Sequence, residues 1–87
     1  MARALAIVNP AAGRGTARTD VEVVLEPLRA RFEIIDVVET QVGHPTASEL
    51  GERAVAERYD VAIVAGGDGT VGAVARALVG TDVTLGI

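Results

Sequence analysis

Two short glycine-rich stretches carry the residues of this chain best suited to chemistry. The first is Asn9-Pro10-Ala11-Ala12-Gly13-Arg14-Gly15; the second is Gly66-Gly67-Asp68-Gly69-Thr70. Glycine lets a backbone turn tightly and lets its N–H groups approach a ligand without a side chain in the way. Successive N–H groups beside a helix N-terminus make an anion site, and phosphate is the natural anion. Asp68 is the odd member, because a carboxylate repels phosphate unless a cation lies between them. Mg²⁺ takes one or two carboxylates together with phosphate oxygens. Three glycines around one acid therefore point to a nucleotide with Mg²⁺, and Thr70 is placed to cap the next helix or to offer a hydroxyl to phosphate. Against this stands the plainer reading that glycines in such loops serve tight turns alone.

Stepping outward, the elements that position these stretches follow from apolar periodicity. Residues 4–8 form a short apolar run stopped by Asn9-Pro10, a buried strand. Residues 17–31 carry Val21, Val24, Leu25 and Leu28 at helical spacing, with Asp20 near the start and Pro27 as a kink. Residues 32–38 read as a second strand, and residues 39–45 as a loop. Thr46 with Glu49 makes a capping box for a helix over residues 47–58, whose apolar stripe is Leu50, Ala54, Val55 and Tyr59. Residues 61–65 form a third strand, residues 71–79 a third helix ended by Gly80, and residues 83–87 a fourth strand.

This β-α-β-α-β-α-β order predicts a three-layer α/β/α open parallel sheet of Rossmann-like type. Ligands in such sheets bind beyond the carboxyl ends of the strands, where the chain order reverses. The two glycine stretches share one ligand only if strands one and three are neighbours, which predicts strand order 2-1-3-4.

Composition agrees. The 87 residues are 49% hydrophobic but only 2% aromatic, so the core rests on Val, Ile, Leu and Ala, as in a parallel sheet buried on both faces. Cysteine is absent, which excludes disulfides and thiolate metal sites and suits a cytoplasmic setting. The net charge of −4 is dispersed, with no basic footprint for nucleic acid. No apolar run approaches the roughly 20 residues of a membrane span.

Gly66-Gly67-Asp68-Gly69-Thr70 resembles the signature of the diacylglycerol, sphingosine and NAD kinase superfamily. Asn9-Pro10-Ala11-Ala12-Gly13 after the first strand, with Gly43-His44 following Thr40, narrows the resemblance to the diacylglycerol kinase catalytic domain. The resemblance implies an ATP-dependent kinase that phosphorylates a lipid hydroxyl at the inner membrane face. Residues 1–87 would be the N-terminal nucleotide-binding part, a fragment lacking a β-rich second domain that supplies the catalytic base. It further implies that Asn9, Pro10, Ala11, Ala12 and Gly13 line the ATP phosphates and that Thr40 contacts the nucleotide. Gly66, Gly67, Asp68, Gly69, Thr70 and Val71 would wrap the phosphates, with Asp68 the catalytic acid group nearest Mg²⁺. One departure stands out: the family has Asn-Glu where this chain has Gly72-Ala73. An NAD-kinase-like enzyme and a non-catalytic nucleotide-binding module therefore remain open alternatives. An uncovered last strand would also invite self-association into a homo-oligomer.

The other polar residues read as structural. Arg14 and Arg18 are solvated charges near a helix start, and His44 is a loop histidine without an identifiable partner. Phe32 and Tyr59 are packing residues, and Glu49 is spaced to pair with Arg53.

Overall fold

The computed structural model describes residues 2–9, 26–27, 29–40 and 44–86. Pro10, Ala11, Ala12, Gly13, Arg14, Arg18, Gly43, Ile87 and, of the helix expected over residues 17–31, residues 17–25 and 28 lie outside the described residues. Of that helix, Glu26 and Pro27 are helical.

Four strands and two helices are described: β1 (Arg3–Val8), β2 (Ile34–Glu39), α1 (Ala47–Ala56), β3 (Val61–Ala65), α2 (Asp68–Leu78) and β4 (Thr84–Gly86). The strands form one parallel sheet in the order β2-β1-β3-β4, as the glycine stretches require. Register is fixed by β1, which pairs Arg3 to Ile34 through Val8 to Glu39 on one side, and Ala4 to Val61 through Val8 to Ala65 on the other.

β1 is the central strand, and residues 4–8 are buried without interruption. Its side chains alternate between two apolar layers. Leu5 and Ile7 join Ala62 and Val64 beneath both helices, packing on Leu50, Ala54, Tyr59, Val74 and Leu78. Ala6 and Val8 face the other way, with Ile35, Val37, Ile63 and Ala65. Continuous burial explains why β1 reads as an unbroken apolar run.

Strand limits depart slightly from expectation because partners, not composition, decide them. β2 begins at Ile34 rather than residue 32, level with the start of β1, and runs on to Glu39 opposite Val8. β1 gains Arg3, whose backbone is held at both ends by Asp60: its N–H donates to Asp60 Oδ2 (2.7 Å), and its carbonyl accepts from Asp60 N–H (2.9 Å). The guanidinium of Arg3 lies 4.6 Å from the centre of the Tyr59 ring and donates to the Glu57 carbonyl (3.0 Å). The Tyr59 hydroxyl donates to Asp36 Oδ2 (2.5 Å), which accounts for an acid inside an apolar strand. Burial raises the Tyr59 pKa above its usual 10, and the bond to Asp36 adds to the effect.

Helix α1 begins with the expected capping box: Glu49 N–H donates to Thr46 Oγ1 (3.2 Å), and Thr46 N–H donates to Glu49 Oε1 (3.3 Å). It stops at Ala56, two residues short of expectation, because Arg58 takes a left-handed conformation (φ 58°). Arg58 N–H bonds the Val55 carbonyl and Tyr59 N–H bonds the Ala54 carbonyl, which is the paired closure of a Schellman motif with arginine where glycine is usual. The two helices touch closely at Gly51, where a Cβ would come within 2.8 Å of Ala77 Cβ. Only a glycine permits that approach. The expected Glu49–Arg53 pair does not form. Arg53 Nε instead binds Glu57 Oε2 (2.8 Å), while Glu49 is committed to the cap and to His44.

Candidate functional site

The carboxyl edge of the sheet is where the chain leaves β1, β2 and β3 side by side. Asn9 N–H donates to the Ala65 carbonyl (2.9 Å) and Thr40 N–H donates to the Val8 carbonyl (2.8 Å). Thr40, Asn9 and Gly66 therefore follow one another across three adjacent strands. At the usual strand spacing of about 4.8 Å, the outer two are about 10 Å apart. The structure thus brings together the described members of both glycine stretches and Thr40.

Beyond Gly66 the chain turns directly into α2. Helix α2 starts at Asp68, three residues earlier than expected, so Asp68, Gly69 and Thr70 form its first turn and not a loop. Thr70 does not cap it. The cap is Gly67, in extended conformation (φ −78°, ψ −180°), and no side chain bonds the cap. Val71 N–H is committed to the Gly67 carbonyl (3.1 Å), leaving the amides of Asp68, Gly69 and Thr70 as first-turn donors. The dipole of α2 adds partial positive charge at the same point. Asp68 is exposed there, and Val71 packs against the core.

The glycines of this turn serve different ends. A Cβ at Gly66 would meet Thr70 Cβ at 2.9 Å, and Cγ2 and Oγ1 at 3.0 Å, so Gly66 is a packing glycine. Among the described residues a Cβ at Gly67 or Gly69 would meet nothing within 4 Å, and neither residue takes a left-handed φ. Neither packing on the described residues nor backbone geometry asks for glycine at these two positions.

Thr70 is buried, and its hydroxyl accepts from Asn9 Nδ2 (2.9 Å). Residue spacing alone could not reveal this contact, because it joins the two stretches through their side chains across the fold. Asp68 is the single carboxylate in the turn, and among the described residues no group of three or more His, Cys, Asp or Glu side chains could hold a metal ion. The donor set fits a cation that takes most of its ligands from phosphate and water.

His44 does have a partner: its Nδ1 lies 2.7 and 2.9 Å from the two carboxylate oxygens of Glu49. This contact chiefly holds the Glu49 carboxyl below its usual 4.5, and the Thr46 amide and hydroxyl act in the same direction against modest desolvation. A capping glutamate five residues ahead was the available signal. Both residues belong to the helix cap and not to the glycine turn.

Residues 3–87 match the profile of the Diacylglycerol kinase catalytic domain. Proteins named diacylglycerol kinase from Mycobacterium tuberculosis, strains CDC 1551 / Oshkosh and ATCC 25618 / H37Rv, are each 39% identical over 83 residues, covering 94% of this chain and 26% of theirs. A solved diacylglycerol kinase structure from Bacillus anthracis str. Sterne superposes with a TM-score of 0.77 at 32% identity, covering 95% of this chain and 30% of that one. The chain thus spans between a quarter and a third of the length of these relatives. With the same sheet order, the glycine turn at its carboxyl edge and a profile match from end to end, it belongs to the diacylglycerol kinase catalytic domain family.

Proposed function

We propose that the carboxyl edge of this sheet binds the phosphates of Mg-ATP, and that the complete enzyme transfers the γ-phosphoryl group to the hydroxyl of a lipid such as diacylglycerol. One observation carries the reading: Gly67 and Gly69 lack side chains where neither φ nor packing on the described residues requires it, in the same turn as the open amides of a helix N-terminus. Phosphate oxygens accept from such amides, and a side chain there would hold them off.

In this reading residues 67–70 grip one part of the triphosphate through backbone N–H groups. Asn9 and the segment Pro10 to Gly13 approach from the β1 side, and Thr40 from the β2 side. Asp68 would hold Mg²⁺, which would supply charge neutralisation at the phosphates when bound. In the transfer itself the lipid oxygen forms a bond to the γ-phosphorus, the bond from that phosphorus to the β-bridging oxygen breaks, and the hydroxyl proton leaves to a base. The part played by this chain is positioning and charge stabilisation, which is most of what phosphoryl transfer asks of a protein. The base and the apolar acceptor cleft are assigned to a β-rich second domain. Among the described residues no helix is long and apolar enough to cross a membrane. The lipid would be met at the inner membrane face by a cytoplasmic protein.

Gly72 and Ala73, standing where the family carries Asn-Glu, favour a second reading: a module that binds nucleotide without catalysis. The test is to titrate the protein that carries this chain with Mg-ATP and to follow labelled phosphate into diacylglycerol, sphingosine and NAD. Binding with transfer to a lipid is the expected result. Binding without transfer supports the second reading, transfer to NAD overturns the lipid assignment, and absence of Mg-ATP binding overturns both.

A further inference from the structure

Thr70 is the buried polar side chain among the described residues, at 8% exposure, and its surroundings come from three places in the chain. Its hydroxyl accepts from the Asn9 amide at the end of β1, 61 positions away, and Gly66, at the end of β3, lies directly against its Cβ and Cγ2. Thr70 itself is the third residue of α2. A β-branched residue in a helix has few χ1 choices, and the wall at Gly66 narrows them further. Both groups are thus held to one another: one N–H of the Asn9 amide is given to Thr70, and the Thr70 oxygen is turned inward.

We infer that Asn9 and Thr70 are positioning residues, whose side-chain hydrogen bond fastens the chain leaving β1 to the first turn of α2, so that the two halves of the phosphate site act as one preformed cradle. This rests on the Mg-ATP reading and deepens it, because it gives the Asn9 amide a structural partner besides any nucleotide contact. The physical reason is preorganisation. Two backbone segments that gather donors around one triphosphate must be held in mutual register, or binding has to order them at its own expense. The direct β-ladder contact between Asn9 N–H and Ala65 fixes only the root of the first segment. The Asn9–Thr70 bond ties the end of β1 itself to the turn that carries the amides of Asp68, Gly69 and Thr70.

A double-mutant cycle tests this. Asn9→Ala, Thr70→Val, the pair together and Thr70→Ser are titrated with Mg-ATP and with inorganic tripolyphosphate. Thermal midpoints and the unliganded amide resonances of Gly67 and Gly69 are recorded alongside. Each of the first two variants is expected to weaken binding of both probes about five- to ten-fold, as for loss of one hydrogen bond. The double variant should be no worse than either single one within about two-fold, and Thr70→Ser should retain affinity. Asn9→Ala should shift the Gly67 and Gly69 resonances and speed their exchange, although it touches neither residue. Losses that multiply in the double variant would mean two independent nucleotide contacts, and a lowered thermal midpoint with unchanged affinity would mean packing alone; either overturns the inference. If the unmutated protein binds neither probe, the nucleotide reading fails, and the resonance shifts still decide whether the tie exists. Should Thr70→Val not fold, Asn9→Ala and Thr70→Ser carry the same comparison.

Discussion

Three glycines within four residues should respond in opposite ways to the same kind of substitution. Gly66→Ala places a methyl 2.9 Å from Thr70 Cβ, too close for real carbon atoms, so the turn or the helix must shift. Overpacking of this kind costs about 1–3 kcal/mol. Gly69→Ala meets nothing within 4 Å and sits in the first turn of a helix, where alanine is up to about 1 kcal/mol better than glycine. Gly67→Ser stands at the N-cap, where a serine hydroxyl gains about a few tenths of a kcal/mol over glycine. For a domain of this size about 1 kcal/mol moves the melting temperature by about 4–8 °C, so the two directions separate cleanly in a thermal scan. Function should rank the three differently. If phosphate binds the first-turn amides, a side chain at 67 or 69 crowds that approach and should cost one phosphate hydrogen bond, about 1.5–3 kcal/mol for a charged acceptor, or about ten- to a hundred-fold in Mg-ATP affinity. Urea or thermal unfolding gives the first ranking and calorimetric titration with Mg-ATP the second. A Gly69→Ala protein that is more stable and binds Mg-ATP as well as the parent would refute the claim that these glycines are kept for a ligand.

Asp68→Asn should leave the fold nearly intact, since Asp68 is exposed, while lowering turnover of the complete enzyme by orders of magnitude; equal turnover at saturating Mg²⁺ and ATP would remove Asp68 from the site. Tyr59→Phe strips the hydroxyl from Asp36 and should cost about 1 kcal/mol in urea unfolding. Because the folded-state pKa of Tyr59 lies above 10, its contribution is whole below pH 10 and fades as pH rises toward the folded value, and the Phe variant should lose that alkaline slope. Glu49 has the opposite sign: its pKa is lowered, so the cap is whole above 4.5 and is lost as pH falls below it, a slope that Glu49→Gln should flatten. Arg58→Gly should raise the melting temperature, because arginine at φ 58° carries a left-handed cost of about 1–2 kcal/mol that glycine avoids.

The placement of β1 beside β3 was legible because the two glycine stretches can share one ligand only if those strands are neighbours, and right-handed crossovers favoured the order 2-1-3-4 around them. The capping box was legible too, since Thr46 and Glu49 specify it at short range. Strand and helix ends were not, because a strand in this sheet extends as far as its neighbour pairs, and α2 begins at Gly67, whose extended backbone leaves no mark in the residue pattern. Side-chain partners across the fold were the least legible. Nothing in the spacing of Asn9 and Thr70, Asp36 and Tyr59, or Arg3 and Glu57 announces that the topology will place them together. Thr70 illustrates the limit: its residue type suggested a cap or a phosphate contact, and the structure rules out the cap and shows its hydroxyl bonded to Asn9.

β1 is an inner strand of the sheet and precedes both of its neighbours in the chain, and this sets an order of events. Its neighbours are β2 and β3, both far downstream, and the second of them is made only after α1. Until Val61–Ala65 exists, one whole edge of the most buried segment in the molecule stays open, and the loop-closure entropy of two long crossovers must be met before β1 is satisfied on both sides. A nascent chain therefore carries an apolar strand with unpaired backbone until Val61–Ala65 has been made, the state in which strands seek the wrong partners. Arg3 at the head of that strand places a charge beside the apolar run during the wait, and later anchors its finished edge through Asp60 and Tyr59.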